Sequence, residues 1–259
     1  MKPITDVKEL QSIILQIGKK FHKICQENNI PYYMLGGTLL GAIRHKGFIP
    51  WDDDMDFGIP RKHYFHALDI LRKQLPPEYK VVTIEDGVGI FGEIAKVEDT
   101  RTVINEMGRD VTGKTAGVFI DIFPIDETND NYGRFSRNML ILRLLHAQQL
   151  VMSNSKHPGH AEKLCKFTSK LFGRYFFLRL LRAVVRKSGT HNTNYSGMWG
   201  RRETVKKEII GKPKLYDFED TKFYSVSKPH EYLTNLYDDY MQLPPEDKRH
   251  THLESVYYK

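Results

Sequence analysis

The chain has 259 residues, 40% hydrophobic and 27% charged, with 14 Tyr and 14 Phe, which supports a real core and excludes a disordered polyelectrolyte. Lys and Arg number 39 against 32 Asp and Glu, and the resulting +7 favours an anionic partner without choosing among nucleotide, nucleic acid, phospholipid surface and polyphosphate. No apolar run nears the roughly 20 residues of a membrane helix, the opening residues lead into no signal-peptide core, and Cys25 and Cys165 are isolated thiols, so a cytoplasmic protein without disulfide scaffold or structural zinc is expected.

Val7, Leu10, Ile13, Ile14, Ile17, Phe21 and Ile24 keep a helical period over residues 6–27, with Thr5 or Asp6 as cap. Residues 31–35 read as a short strand stopped by Gly36-Gly37, and residues 38–45 as a helix launched from that turn. A second strand at 55–59 leads into a helix at 61–75 that ends before Pro76-Pro77. Extended runs at 81–85, 90–97 and 118–125 surround a polar stretch at 98–115. The character changes near 129–133: residues 134–153 are Leu-rich and helical, 163–187 basic and aromatic, and 232–241 helical before Pro244-Pro245. The expected class is α+β, a mixed sheet with helices over residues 1–130 followed by a mainly helical part over 131–259, separate or packed on the core as one domain.

Two nucleotide motifs fail on context. Gly87-Val88-Gly89-Ile90-Phe91-Gly92 matches GxGxxG, but an alternating strand pattern follows instead of a helix, so a hairpin turn is the better reading. The run 108–115 matches GxxxxGK[ST], yet Ala116-Gly117-Val118-Phe119-Ile120 opens a strand, and without a helix no row of amides faces a phosphate. A basic loop is the plainer reading.

Residues 35–58 concentrate several chemical requirements. Asp54 and Asp56 stand two apart at the start of a strand, so both leave one face while Met55 points into the core. Hard carboxylates so placed suit Mg²⁺ or Mn²⁺, which keep oxygen ligation and bind phosphate through their remaining positions. Gly36-Gly37 permits close backbone approach to a phosphate, with Thr38 as a hydroxyl donor. Alone, an Asp-x-Asp is more often a solvated pair and a Gly-Gly a plain turn. Asp121 strengthens the pattern, because an Asp inside the apolar run 119–124 needs a partner, either a shared metal or backbone amides at a strand edge.

The run Leu35-Gly36-Gly37-Thr38 through Gly47-Phe48-Ile49-Pro50-Trp51-Asp52-Asp53-Asp54-Met55-Asp56 resembles the LicD family of phosphotransferases, to which fukutin-related proteins are also similar. The likeness recurs at residues 121–126 and thinly at 237–241 and 243–245. It implies a nucleotidyltransferase-like fold and transfer of phosphocholine from CDP-choline to a sugar hydroxyl of a bacterial surface glycan, lipopolysaccharide or teichoic acid precursor. It further implies two-metal chemistry on Asp54, Asp56 and Asp121, with Asp121 accepting the hydroxyl proton, and Arg44 and Lys46 neutralising the departing CMP. Trp51 is the first aromatic wall for the quaternary ammonium, with Tyr195 and Trp199 second; Lys96 and His252 are weaker carry-overs. A nucleotidyl transfer, or transfer of another alditol phosphate, shares this chemistry.

Residues 156–187 hold nine Lys and Arg against one acidic residue, interleaved with aromatics, as expected of a segment lying on an anionic leaflet. A membrane- or nucleic-acid-binding module is therefore the rival class, though a pure nucleic-acid binder leaves the three carboxylates unexplained. A peripheral place at the inner face of the cell membrane, beside a lipid-linked or oligosaccharide acceptor, accommodates both features, with nucleic acid excluded as partner.

Overall fold

The computed structural model describes residues 1–83, 86, 94–106, 116–128, 141, 160–173, 175–187, 194–196, 201–249, 251 and 253–259. Both rejected glycine motifs and, apart from Ile141, the helical pattern at 134–153 lie outside these residues.

After β1 (Lys2–Ile4), the chain enters α1 (Val7–Glu27), whose Asp6 cap accepts from the Lys8 amide at 2.9 Å. The apolar face of α1 buries Ile14, Ile17 and Phe21, and the Phe21 ring packs against Tyr32 and Phe57 at centroid distances of 4.9 and 4.7 Å. β2 (Tyr33–Met34), α2 (Gly36–Arg44), β3 (Asp56–Pro60) and α3 (Arg61–Gln74) follow as the sequence predicts, within a residue or two at their ends. β4 (Tyr79–Val82), β5 (Ala95–Asp99), β6 (Thr102–Glu106) and β7 (Phe119–Thr128) complete the first half. Beyond it come α4 (His160–Phe172), α5 (Phe176–Lys187), β8 (Asn194–Ser196), β9 (Thr204–Lys206), α6 (Lys207–Ile210), β10 (Lys214–Phe218), β11 (Thr221–Ser225), α7 (Pro229–Tyr237) and β12 (Leu253–Tyr258).

The main sheet runs β10-β11-β2-β3-β7-β5-β4, and the β11–β2 and β3–β7 pairs are parallel. β12 joins β1 to β6 in a second sheet. The class is α+β, as expected. Two features depart from the sequence reading. The polar stretch contains β6, whose Val103 and Ile104 are buried. Its flanking charges conceal it, although each has a partner: Arg101 reaches Asp99 at 2.6 Å and Lys80 of β4 reaches Glu98 at 3.3 Å. The helical second half also supplies β8 to β12, of which the β10–β11 hairpin extends the main sheet beside β2. These strands are three to six residues long, so they leave little periodic signal.

Candidate active site

The motif run is laced to the start of β3. Leu35 donates its amide to the Asp56 carbonyl at 3.0 Å, and the Asp56 amide donates to the Thr38 hydroxyl at 2.7 Å. Gly36 opens α2 with φ +50°, a left-handed conformation that side chains disfavour, and a Cβ there would lie 3.4 Å from Asp56 Oδ2 and 3.6 Å from the Tyr237 hydroxyl. At Gly41 the need is space: a Cβ would sit 2.4 Å from the Gly47 carbonyl oxygen, where loop 45–50 folds back on α2. Glu219 of the β10–β11 turn holds that loop by accepting from the Phe48 amide at 2.9 Å. The run therefore returns its acidic end to the amino terminus of the helix it started from.

Extended backbone sorts the acidic residues by parity. Asp52, Asp54 and Asp56 line one cavity of about 570 Å³ with Arg44, Trp51 and Tyr237. Met55 is fully buried, and buried Asp53 lines a different cavity against Ile4 and Val256. Asp52, Asp53 and Asp54 each offer a carboxylate oxygen, all within 4.8 Å of one another.

β7 brings in the next carboxylate. Parallel pairing sets Asp121 opposite Asp56, and antiparallel pairing sets Lys96 of β5 opposite Asp121, so the three form a row across the sheet. Lys96 Nζ is 2.9 Å from Asp121 Oδ1, donates to Oδ2 at 3.2 Å, and lies 3.2 Å from the Phe119 ring centre. The partly buried Asp121 thus has an ammonium partner, a role the sequence reading assigns to a metal or to backbone amides. Asp56 has a different environment. Burial, followed by the charges of Asp54, Asp121, Asp52 and Glu203, holds its carboxyl well above the usual carboxylate range.

The far wall comes from residues distant in sequence. Tyr237 ends α7, and its hydroxyl is pushed up by burial and then by Asp56, Glu203, Asp52 and Asp54, so it stays protonated and able to donate. Arg44 Nη1 donates to the carbonyls of Tyr240 and Gln242 at 2.7 and 3.4 Å, tying the segment after α7 to α2. Arg249 donates to the Pro244 carbonyl at 2.9 Å and sets its guanidinium 5.0 Å from the centre of the Trp51 ring.

Asp54, Asp56, Gly37, Arg44 and Trp51 thus share one cavity, Gly36 borders it, and Asp121 and Lys96 adjoin it through the sheet. Thr38 is buried, and its hydroxyl positions the Asp56 amide. Lys46 is exposed at a turn outside the cavity lining, its carbonyl accepting from the Glu219 amide at 2.8 Å. Tyr195 lies on β8 opposite Glu127 and Val205, and nothing of its side chain is described; Trp199 and His252 lie outside the described residues. Sequence reasoning missed Asp52, Tyr237 and Glu203. The two-residue alternation 52, 54, 56 was the available signal for Asp52, and the thin motif at 237–241 was the signal for Tyr237. Glu203, buried just before β9, carries none.

A mixed sheet with acidic residues on neighbouring parallel strands beside a glycine-led helix defines a nucleotidyltransferase-type domain, and residues 29–140 match the family description "LicD/FKTN/FKRP, nucleotidyltransferase domain". Over 270 aligned residues, covering 99% of this chain and 99% of the relative, the sequence is 32% identical to the lipopolysaccharide cholinephosphotransferase LicD of Haemophilus influenzae. Shorter matches join it to uncharacterized proteins of Rickettsia prowazekii, 47% identical over 58 residues covering 22% of each chain, and Rickettsia typhi, 43% identical over 67 residues covering 26% of this chain and 20% of that one. The chain belongs to the LicD family.

Proposed function

We propose that the protein is a transferase that moves phosphocholine from CDP-choline to a sugar hydroxyl of a lipopolysaccharide or related cell-surface glycan. What carries this reading is the 32% identity, over 99% of both chains, to a lipopolysaccharide cholinephosphotransferase. The cavity supports it with carboxylates, a cation and an aromatic face in one place.

The carboxylates fit a hard divalent cation. On the cavity wall Asp52 and Asp54 bring carboxylate oxygens within 4.8 Å of one another, and burial and negative neighbours act together against the ionised form of Asp56, a balance a cation reverses. Asp54 and Asp56 would hold Mg²⁺ or Mn²⁺, with Asp121 contributing to a second ion. Such ions supply charge neutralisation at the transferring phosphoryl group and activation of the attacking oxygen.

In this reading the acceptor oxygen attacks the phosphorus that carries choline, the bond from that phosphorus to the bridging oxygen breaks, and CMP leaves with the bridging oxygen. The hydroxyl proton passes to Asp121, whose second role is to be held against Lys96 in a fixed position. Arg44 presents its charge to the departing CMP while bracing the wall at Tyr240. Trp51 offers a ring face to the trimethylammonium group, and Tyr237 donates into the acidic end of the cavity. An acceptor carried on lipid brings the chain to the anionic inner face of the cell membrane as a peripheral protein; among the described residues no helix is long and apolar enough to cross a membrane.

The deciding assay uses CDP-choline labelled separately in choline and in cytidine, with Mg²⁺ or Mn²⁺ and purified lipooligosaccharide as acceptor. Choline label in the glycan with cytidine label in free CMP is expected. Cytidine label in the glycan makes the protein a nucleotidyltransferase, and label from neither half rejects the transferase reading for this donor and acceptor.

A further inference from the structure

The basic segment that reads as one unit in the sequence is divided by the fold into two helices with different apolar faces. α5 is rooted in the body: Phe177, Leu178 and Leu181 are buried, and the Arg182 guanidinium lies 5.6 Å from the Phe65 ring centre of α3. α4 keeps a stripe outward. Leu164, Phe167 and Leu171, spaced three and four apart on one face, are 48%, 65% and 60% exposed. Phe172, stacked on Phe176 at 4.7 Å, continues the patch into the turn, and Arg179 donates to the Phe172 carbonyl, fixing how α4 leaves α5.

Exposed single hydrophobes are ordinary, but a continuous stripe on one helix is not. Its neighbours identify the occupant. Lys163, Lys166 and Lys170 each precede a stripe residue by one position, so they form a second exposed row about 100° round the helix. Ammonium groups beside an apolar stripe match a bilayer surface, where the stripe enters the headgroup–acyl boundary and the lysines snorkel to anionic headgroups. A second copy of the chain fits worse, because an isologous pairing of α4 with itself brings the lysine rows near each other.

We infer that α4 is an interfacial membrane helix, inserting Leu164, Phe167 and Leu171 into an anionic phospholipid bilayer with Lys163, Lys166 and Lys170 on its headgroups. This surface is remote in sequence from the carboxylates and does not depend on which group the enzyme transfers. Its role is to concentrate the protein where lipid-carried glycans are found.

The test is co-sedimentation of the full chain with vesicles of 30% phosphatidylglycerol in phosphatidylcholine and with pure phosphatidylcholine vesicles. Wild type is expected in the pellet only with the anionic vesicles, and less so as salt rises. The triple variant Leu164→Ser, Phe167→Ser, Leu171→Ser is expected to bind about tenfold or more weakly, and Lys163→Gln, Lys166→Gln, Lys170→Gln to lose most of the salt-sensitive part. Thermal melts check folding, and transfer to a water-soluble glycan should be unchanged in both variants. Wild type that ignores anionic vesicles, or a serine variant that binds like wild type, overturns the inference. So does wild type that sediments in the ultracentrifuge as a dimer which the serine variant abolishes, since α4 is then a protein interface. Loss of transfer with vesicle binding intact counts against the catalytic reading alone.

Discussion

The two ends of β7 each carry a buried or nearly buried aspartate, and the chain treats them differently. At the far end, Asp126 is 1% exposed and takes both Nε and Nη2 of Arg61, at 2.7 and 3.0 Å, so the first residue of α3 supplies its counter-charge in a forked geometry. At the near end Asp121 has Lys96, but its neighbour Asp56 faces Asp54, Asp52, Asp121 and Glu203, and every one of these charges disfavours its ionisation. The contrast teaches that carboxylates on neighbouring strands can serve different ends. Arg61 makes Asp126 part of the fold, whereas Asp56 sits among other carboxylates beside a cavity, where the cation proposed above would offset their repulsion.

Substitution at the two ends should separate activity from stability. Asp54→Asn, Asp56→Asn and Asp121→Asn are each expected to lower phosphocholine transfer by roughly a thousandfold or more while the protein still melts cooperatively, because the amide is nearly isosteric but lacks the charge a divalent ion needs. Activity within about tenfold of wild type in any of the three removes that residue from the catalytic set. Asp126→Asn should do the reverse, costing about 3 kcal/mol of stability, or roughly 10 °C in Tm, with kcat of the folded protein near wild type. If transfer by folded Asp126→Asn falls as far as in Asp56→Asn, the distinction between the two ends of β7 collapses.

The raised carboxyl of Asp56 adds a pH signature. Above the ordinary carboxylate pKa of about 3.9, the unfolded chain has released its proton while the folded chain still holds it. The unfolded state then binds fewer protons, so this group makes stability fall as pH rises. In EDTA, Asp56→Asn should therefore melt higher than wild type at pH 8, by roughly 3–6 °C, with the gap closing towards pH 4. Adding Mn²⁺ should raise the wild-type Tm at pH 8 and do little for the variant. A variant that is no more stable than wild type at any pH shows that Asp56 is balanced within the chain, like Asp126.

Much of this arrangement was legible because it is local. The opening helix, the glycine-led α2, β3 and α3 follow from apolar periodicity, capping and proline positions within single windows, and residues 35–56 hold half of the cavity in one continuous run. The other half depends on contacts that no window contains. The β10–β11 hairpin reaches β2 across 191 residues of chain, Glu219 holds a loop at Phe48, and Tyr237 meets Asp56 only once α7 has packed beside α2. Lys96 read as a weak carry-over because its meaning comes from register: antiparallel β5 sets it opposite Asp121. β6 stayed hidden because its flanking charges read as solvent-facing, whereas Glu98 and Asp99 are buried and paired with half-exposed Lys80 and Arg101.

Trp51 gives the smallest expected effect and the sharpest test of the donor, because the carboxylates serve any substituted phosphate while an aromatic face favours a cation. The ring is approached by Arg249 at 5.0 Å, packs in part against the core, and contributes to the cavity lining. A trimethylammonium group against the ring should contribute roughly 1–2 kcal/mol, so CDP-choline should bind about five- to thirtyfold tighter than CDP-glycerol or CDP-ribitol. Trp51→Ala should weaken CDP-choline by that factor and leave the neutral donors nearly unchanged in calorimetric titrations, since ion and cytidine contacts are common to all three. Arg249→Gln supplies the control: it removes the guanidinium but keeps a side chain able to donate to the Pro244 carbonyl, so preference for choline should persist or rise as the ring loses a competing cation. An equal loss for all three donors in Trp51→Ala makes the ring a structural wall. Equal wild-type affinities withdraw choline as the head group and leave Asp54, Asp56 and Asp121 to serve another phospho-alcohol.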